Sequence, residues 1–276
     1  MTSLGRWAGR AVGMAVLVVL ALRLGSEPFL HGLTAVGPAA LVSALVVGAL
    51  TTLASAWRWR LVARHLGLGG LSLRAAIAAC YRSQLLNAAL PGGVLGDVHR
   101  AIRHGRRAGT TGLAARSVAW ERGLGQLVQI AVTLLALRLW LPAAVAVLLL
   151  SAGLVRFRAV ALGVVAASLA ALAGYSLLFL VAASATGSSP PLPVVLLVLL
   201  AAAVPLNVGG WGPREGAAAW AFASAGLGAD QGLAASVAYG VLALVSTLPG
   251  LAVLLLTRPA PPAPPTRVAT PEVSRA

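Results

Sequence analysis

Lysine is absent from this sequence, cysteine occurs once and acidic residues number six in 276. The single Cys80 excludes an internal disulfide and a cysteine metal cluster, and it reads as a small buried apolar side chain. Without lysine, all 21 basic residues are arginine and the formal net charge is +15; a GC-rich coding sequence accounts for that bias and for the excess of Ala, Leu and Val. In a soluble protein this balance would point to nucleic acid. Here the arginines cluster between apolar runs, no nucleic-acid motif is present, and that partner is excluded. Also missing are an Asp-x-Asp pair, HExxH, G-x-S-x-G and any His/Cys ligand cluster, so neither a catalytic residue nor a metal or cofactor is expected. His31, His65, His99 and His104 are scattered among loops and read as solvated.

Charged residues make up only 10% of the chain and hydrophobic residues 59%, too apolar for a soluble domain of this size. Several apolar runs approach the roughly 20 residues needed to cross a bilayer, and they are continuous rather than alternating, which excludes a β-barrel. The expectation is an all-α polytopic membrane protein with about six full spans and two broken or re-entrant hairpins, folded as one domain over residues 1–256. Residues 257–276 form a Pro-rich tail expected to be disordered.

Spans are expected near residues 7–24, 38–57, 114–137, 141–155, 159–183 and 233–256. The first could pass for a signal peptide, but no small-x-small cleavage site follows, and a retained helix is preferred. Glu27, Pro28 and His31 fall in a short loop, and Arg58-Trp59-Arg60 reads as a boundary with an aromatic belt. Residues 73–90 are apolar but carry Arg74, Arg82 and Asn87 near one helical face, and they lead into a strongly basic loop ending at Arg107. With both termini cytoplasmic, the inside group collects Arg6, Arg10, Arg58, Arg60, Arg64, the 100–107 cluster, Arg156, Arg158 and Arg258. The outside group then holds Arg23, Arg138, Glu27 and Asp230. That division requires residues 73–107 to re-enter from inside and residues 194–227 to dip in from outside.

The chain is organised around two interruptions. Residues 205–216 read PLNVGGWGPREG, and residues 91–100 read PGGVLGDVHR; Pro to Arg is nine residues in each, Val94 matches Val208 and Gly96 matches Gly210. Such backbone survives at membrane depth only where it is buried in protein or lines a polar cavity. Two opposed hairpins meeting near the midplane, with helix N-termini facing an anionic group, are the layout of inverted-repeat transporters. Candidate headgroup residues are Asp97, Arg100, Glu121, Arg122, Asn207, Arg214 and Glu215; Pro91, Gly92, Gly93, Gly96, Pro205, Gly209, Gly210 and Gly212 shape the loops. Arg100 and Arg214 suit bidentate phosphate contact. The plainer readings are that Glu121 neutralises Arg122 or Arg116, that Asp97 caps a helix starting near Val98, and that Asn207 is a satisfied turn residue.

The stretches PGGVLGDVHRA, SVAWERGLG and NVGGWGPREGA, at residues 91–101, 117–125 and 207–217, resemble the lysylphosphatidylglycerol synthase transmembrane-region family, also described as flippase-like. The resemblance takes in about residues 38–256. It implies a polytopic domain of the bacterial inner membrane that binds or translocates phospholipid. In the best-known members that domain is fused to an aminoacyl-transferase. No such domain is read here, so lipid handling rather than synthesis is expected. The lipid would be anionic, aminoacylated or polyprenyl-phosphate-linked. The other readings are a membrane-embedded transferase acting on a lipid-linked substrate and a non-transporting partner of a separate lipid synthase, docked through the basic 100–107 segment.

Overall fold

The computed structural model describes residues 3–90, 93–204 and 211–256, with side chains from residue 14 onward. Pro91, Gly92, Pro205, Asn207, Gly209, Gly210 and the Pro-rich tail lie outside the described residues. The fold is all-helical. Its first half comprises α1 (Ser3–Leu24), α2 (Glu27–Thr34), α3 (Pro38–His65), α4 (Leu73–Ala89), α5 (Leu95–Ala108) and α6 (Thr111–Ala136). The second half comprises α7 (Trp140–Val155), α8 (Ala161–Ala185), α9 (Leu192–Ala202), α10 (Pro213–Ser224), α11 (Ala229–Thr247) and α12 (Pro249–Leu256).

Among the described residues, three helices are long and apolar enough to cross a membrane: α3, α8 and the continuous run Ala229–Leu256 made by α11 and α12. A fourth crossing counts if α1 and α2, bent by 104° at their junction, are taken as one broken span. About six were expected; the 141–155 and 114–137 runs miss this measure through helix length and polarity. The 141–155 run yields a helix of only 16 residues, and α9 has 11. The 114–137 run forms the 26-residue α6, but charged residues in its first half remove it from the apolar class.

α3, α8 and α11 form the middle of the molecule. The α4–α6 group packs against one part of this trio, and α9 and α10 pack against another. Small residues allow the close approaches, as usual where helices pack within lipid. A Cβ on Gly174 of α8 would lie 2.3 Å from Thr51 Oγ1 of α3, and one on Gly48 would lie 2.5 Å from Ser246 Cβ.

Two expected loops are helices. Residues 27–34 form α2, with Pro28 in its first turn, because Gly32 lets it lie directly on Ala234 and Val237 of α11. The basic loop after the first interruption is the amphipathic α5, which stops at Gly109 in a left-handed conformation (φ 67°). Its buried face is Gly96, Asp97, Arg100, Ala101 and Gly105, a three-to-four spacing that a count of charges alone conceals.

Candidate functional site

The first polar centre is assembled by α3, α4, α5 and α6. Glu121 of α6, 2% exposed, lies between two guanidiniums: Arg58 Nε donates to its Oε1 at 2.9 Å and Arg100 Nη2 to its Oε2 at 2.9 Å. Arg100 also donates to Asp97 Oδ1 at 3.0 Å, and Arg122 pairs with Asp97 Oδ2. Ser83 and Asn87 of α4 complete the Asp97 shell, Ser83 Oγ at 2.8 Å and Asn87 Nδ2 at 3.1 Å. Arg58 reaches Ser168 on α8, so α8 is tied to the same centre. Three guanidiniums therefore face two carboxylates, and one positive charge is in excess.

Asp97 is the third residue of α5 and does not cap it as expected. Asn87 does that from outside: its Oδ1 accepts the Gly96 N–H at 2.7 Å, which releases the Asp97 carboxylate for the arginines. This needs a glycine at 96, because a Cβ there would lie 2.0 Å from Ser83 O. Gly96→Ala is expected to push α4 and α5 apart and to lower stability by about 1–3 kcal/mol, read as a lower melting temperature in detergent. The expected partners of Glu121 are also corrected. Arg122 is taken by Asp97, Arg116 is exposed, and Arg58 is the principal partner.

Arg58 was read as a boundary residue and is instead central. The sequence did carry a signal: Thr51, Ser55 and Arg58 repeat at four and three residues, a polar stripe along an apolar helix. Trp59 is fully buried rather than part of a belt; its indole N–H donates to Ser117 Oγ and its ring lies under Arg100, 4.7 Å from the guanidinium carbon. Cys80 is buried as expected, yet its sulfur accepts from Arg100 Nη1 at 3.2 Å.

The second centre belongs to α10 and α11. Pro213 opens α10, and Glu215 Oε2 folds back to accept the Gly212 N–H at 2.7 Å; Gly212 itself sits at φ 121°, which favours glycine. Glu215 Oε1 takes Arg214 Nε at 2.9 Å and Ser236 Oγ at 3.1 Å. The Arg214 guanidinium lies between the rings of Trp211 and Tyr239, at 5.4 and 5.2 Å, with its end against Gly240.

Arg100 and Arg214, expected to share one anion, thus occupy separate centres, each with its own carboxylate. No ion pair joins the two centres among the described residues. What the centres share is space. A cavity of about 720 Å³ is bordered by Arg122 at one centre and Arg214 at the other, with Gln84, Asn87, Tyr175 and Tyr239 between them. Gly93 also borders it. Gln84, Arg122 and Tyr175 connect it with a smaller polar cavity of about 110 Å³ over Arg58, Arg100 and Glu121. Among the described residues no group of three or more His, Cys, Asp or Glu lies together as a metal site.

The Pro-to-Arg alignment of the two interruptions is out of phase with the helices. Arg100 is the sixth residue of α5, whereas Arg214 is the second of α10. The residues in equal positions are the acids, Asp97 and Glu215, each third in its helix.

A family model described as the lysylphosphatidylglycerol synthase TM region matches residues 6–167. That stretch holds the first centre and two of the three resembling motifs, and it ends before the 207–217 stretch. No curated protein and no solved structure matches the chain. The match takes in more than half of the chain, the helices are those of a membrane protein, and the chain belongs to the lysylphosphatidylglycerol synthase transmembrane-region family.

Proposed function

We propose that this membrane protein binds an anionic phospholipid, or an aminoacylated or polyprenyl-phosphate-linked lipid, and carries its headgroup across the bilayer through the cavity between the two centres. The observation that carries this reading is Arg122. It belongs to a cluster with one positive charge in excess, its side chain is 53% exposed, and it faces the same cavity as Arg214. Arg100, 4% exposed and held by two carboxylates, is a poorer phosphate ligand than Arg122. The cavity has the mixed character such a passenger needs. Arg122, Gln84 and Asn87 suit a headgroup, and Leu33, Leu178, Val241 and Leu244 suit acyl chains.

The matched positions of Asp97 and Glu215 favour two opposed half-helices facing each other across this cavity, the arrangement of an inverted-repeat transporter. On this reading the arginine-rich helix ends lie on the cytoplasmic side of the bacterial inner membrane, as do both termini. The test is reconstitution in vesicles with a fluorescent phosphatidylglycerol and a membrane-impermeant quencher. Wild-type protein is expected to move the lipid between leaflets. Arg122→Gln leaves Glu121 with both of its partners and is expected to slow movement about tenfold or more, the value of one charge-assisted contact. Equal rates in wild type, Arg122→Gln and Arg214→Gln would reject the reading.

A further inference from the structure

A third cavity lies on the other side of Arg100 and takes no part in the lipid path. It has a volume of about 220 Å³, and its walls are the loop Gly69–Leu71, the Trp59 ring and one face of α4 and α5. Its polar lining is Arg82, Arg100, Arg103, His104 and Arg107, with no Asp or Glu. Five of the chain's six acids are among the described residues, and none of them lines it. Of the six, Asp97 and Glu121 are engaged at the first centre and Glu215 at the second. Glu27 and Asp230 belong to α2 and α11, and Glu272 lies outside the described residues.

Three nitrogens of residues that line this cavity are buried without a hydrogen-bond partner among the described residues: Arg100 Nε, Arg103 Nε and His104 Nε2. Unmet buried groups such as the two arginine Nε donors are costly, and like charges held this close repel. Burial, and then Arg107, hold the His104 imidazole below its ordinary value, and the same two causes lower Arg103. The cavity is nonetheless braced by packing. His104 packs edge-on against Trp59 at 5.3 Å, Arg60 Nε holds the loop through Leu71 O at 3.2 Å, and Leu68 and Leu71 are buried beneath it. A pocket lined by several guanidiniums, with no Asp or Glu among the described residues that line it, is complementary to a compact, multiply charged oxyanion.

We infer that the cavity between α4, α5 and the Gly69–Leu71 loop is a second anion site that binds a phosphate monoester, carried either by a lipid headgroup or by a small soluble phosphate. It is separate from the passenger cavity, and its occupancy can be measured whether or not the protein moves lipid.

The test uses the full chain in neutral detergent. Phosphatidic acid serves as the lipid monoester, phosphatidylglycerol as the diester control and glycerol 3-phosphate as the soluble monoester; binding is read by native mass spectrometry and by thermal stabilisation. Phosphatidic acid is expected to bind more tightly than phosphatidylglycerol. The double variant Arg103→Gln/Arg107→Gln is expected to weaken it about tenfold or more, while Arg106→Gln, an exposed arginine of the same helix that does not line the cavity, leaves it unchanged. Displacement by glycerol 3-phosphate would identify a soluble ligand as sufficient, and retention of the lipid against it would identify a lipid ligand; both support the site. Equal weakening by Arg106→Gln, equal binding of the diester, or no binding of either monoester would overturn it. Should the double variant fail to fold, Arg107→Gln alone, at an exposed position, carries the same comparison.

Discussion

Glu121→Gln is expected to cost about 3–5 kcal/mol of stability, the usual result of removing one partner from a buried ion pair. The substitution keeps shape, removes the charge and replaces one of the two acceptor oxygens by an NH2 donor that meets a guanidinium N–H. Arg58 and Arg100 would then face a neutral amide, and the cluster would hold two positive charges in excess instead of one. Neither guanidinium can escape to water easily. Arg58 is wedged against Gly125, where its Nη1 lies 2.5 Å from the site of a Cβ, and Arg100 is stacked on Trp59. Thermal unfolding followed by tryptophan fluorescence in detergent measures the loss. The double variant Arg58→Met/Glu121→Gln returns the excess to one charge and is expected to recover part of it, a non-additivity that marks direct coupling. A Glu121→Gln protein melting with the wild type would mean that the carboxylate is not ionised in the folded chain.

Glu215→Gln is the second large effect, again about 3–5 kcal/mol, from a residue with no exposed surface. Here the carboxylate has two tasks that the choice of substitution separates. Gln retains an acceptor for the Gly212 N–H, so α10 keeps its first-turn bond while Arg214 loses its counter-ion. Glu215→Ala removes both and is expected to cost about 1 kcal/mol more, the value of a lost cap. Amide exchange across the start of α10 distinguishes them: faster in Ala, near wild type in Gln. A Gln variant as stable as the wild type would show that Arg214 is balanced by another group.

Much of this was legible in the sequence because charge is so scarce. In a chain with six acids, the three that sit beside arginines in apolar surroundings stand out, and Asp97, Glu121 and Glu215 are each ion-paired with arginine in the two centres. What could not be read was the pairing. Arg58 and Glu121 are 63 residues apart, and nearest-neighbour reasoning assigned Glu121 to Arg122 or Arg116. A helix turns adjacent residues about 100° apart, so Arg122 points away from Glu121 and toward Asp97. The same geometry hid α5. Arg100, Arg103, Arg106 and Arg107 look like one basic block when counted, but Arg100 is turned inward and Arg106 outward. Asn87, flagged only as a polar residue on an apolar helix, proves to be the cap of a neighbouring helix, a role that depends on tertiary packing alone.

Arg100 borders two chambers at once: its terminal nitrogens hold Asp97 and Glu121, and the same side chain lines the pocket beyond Trp59. A single guanidinium cannot satisfy both sides fully. An anion that draws it outward loosens its hold on Glu121 and leaves that carboxylate to Arg58. By thermodynamic reciprocity, whatever strengthens the inner pairing must weaken the outer ligand by the same factor. If the inferred anion site is occupied, one side chain would couple the two chambers without a helix having to move.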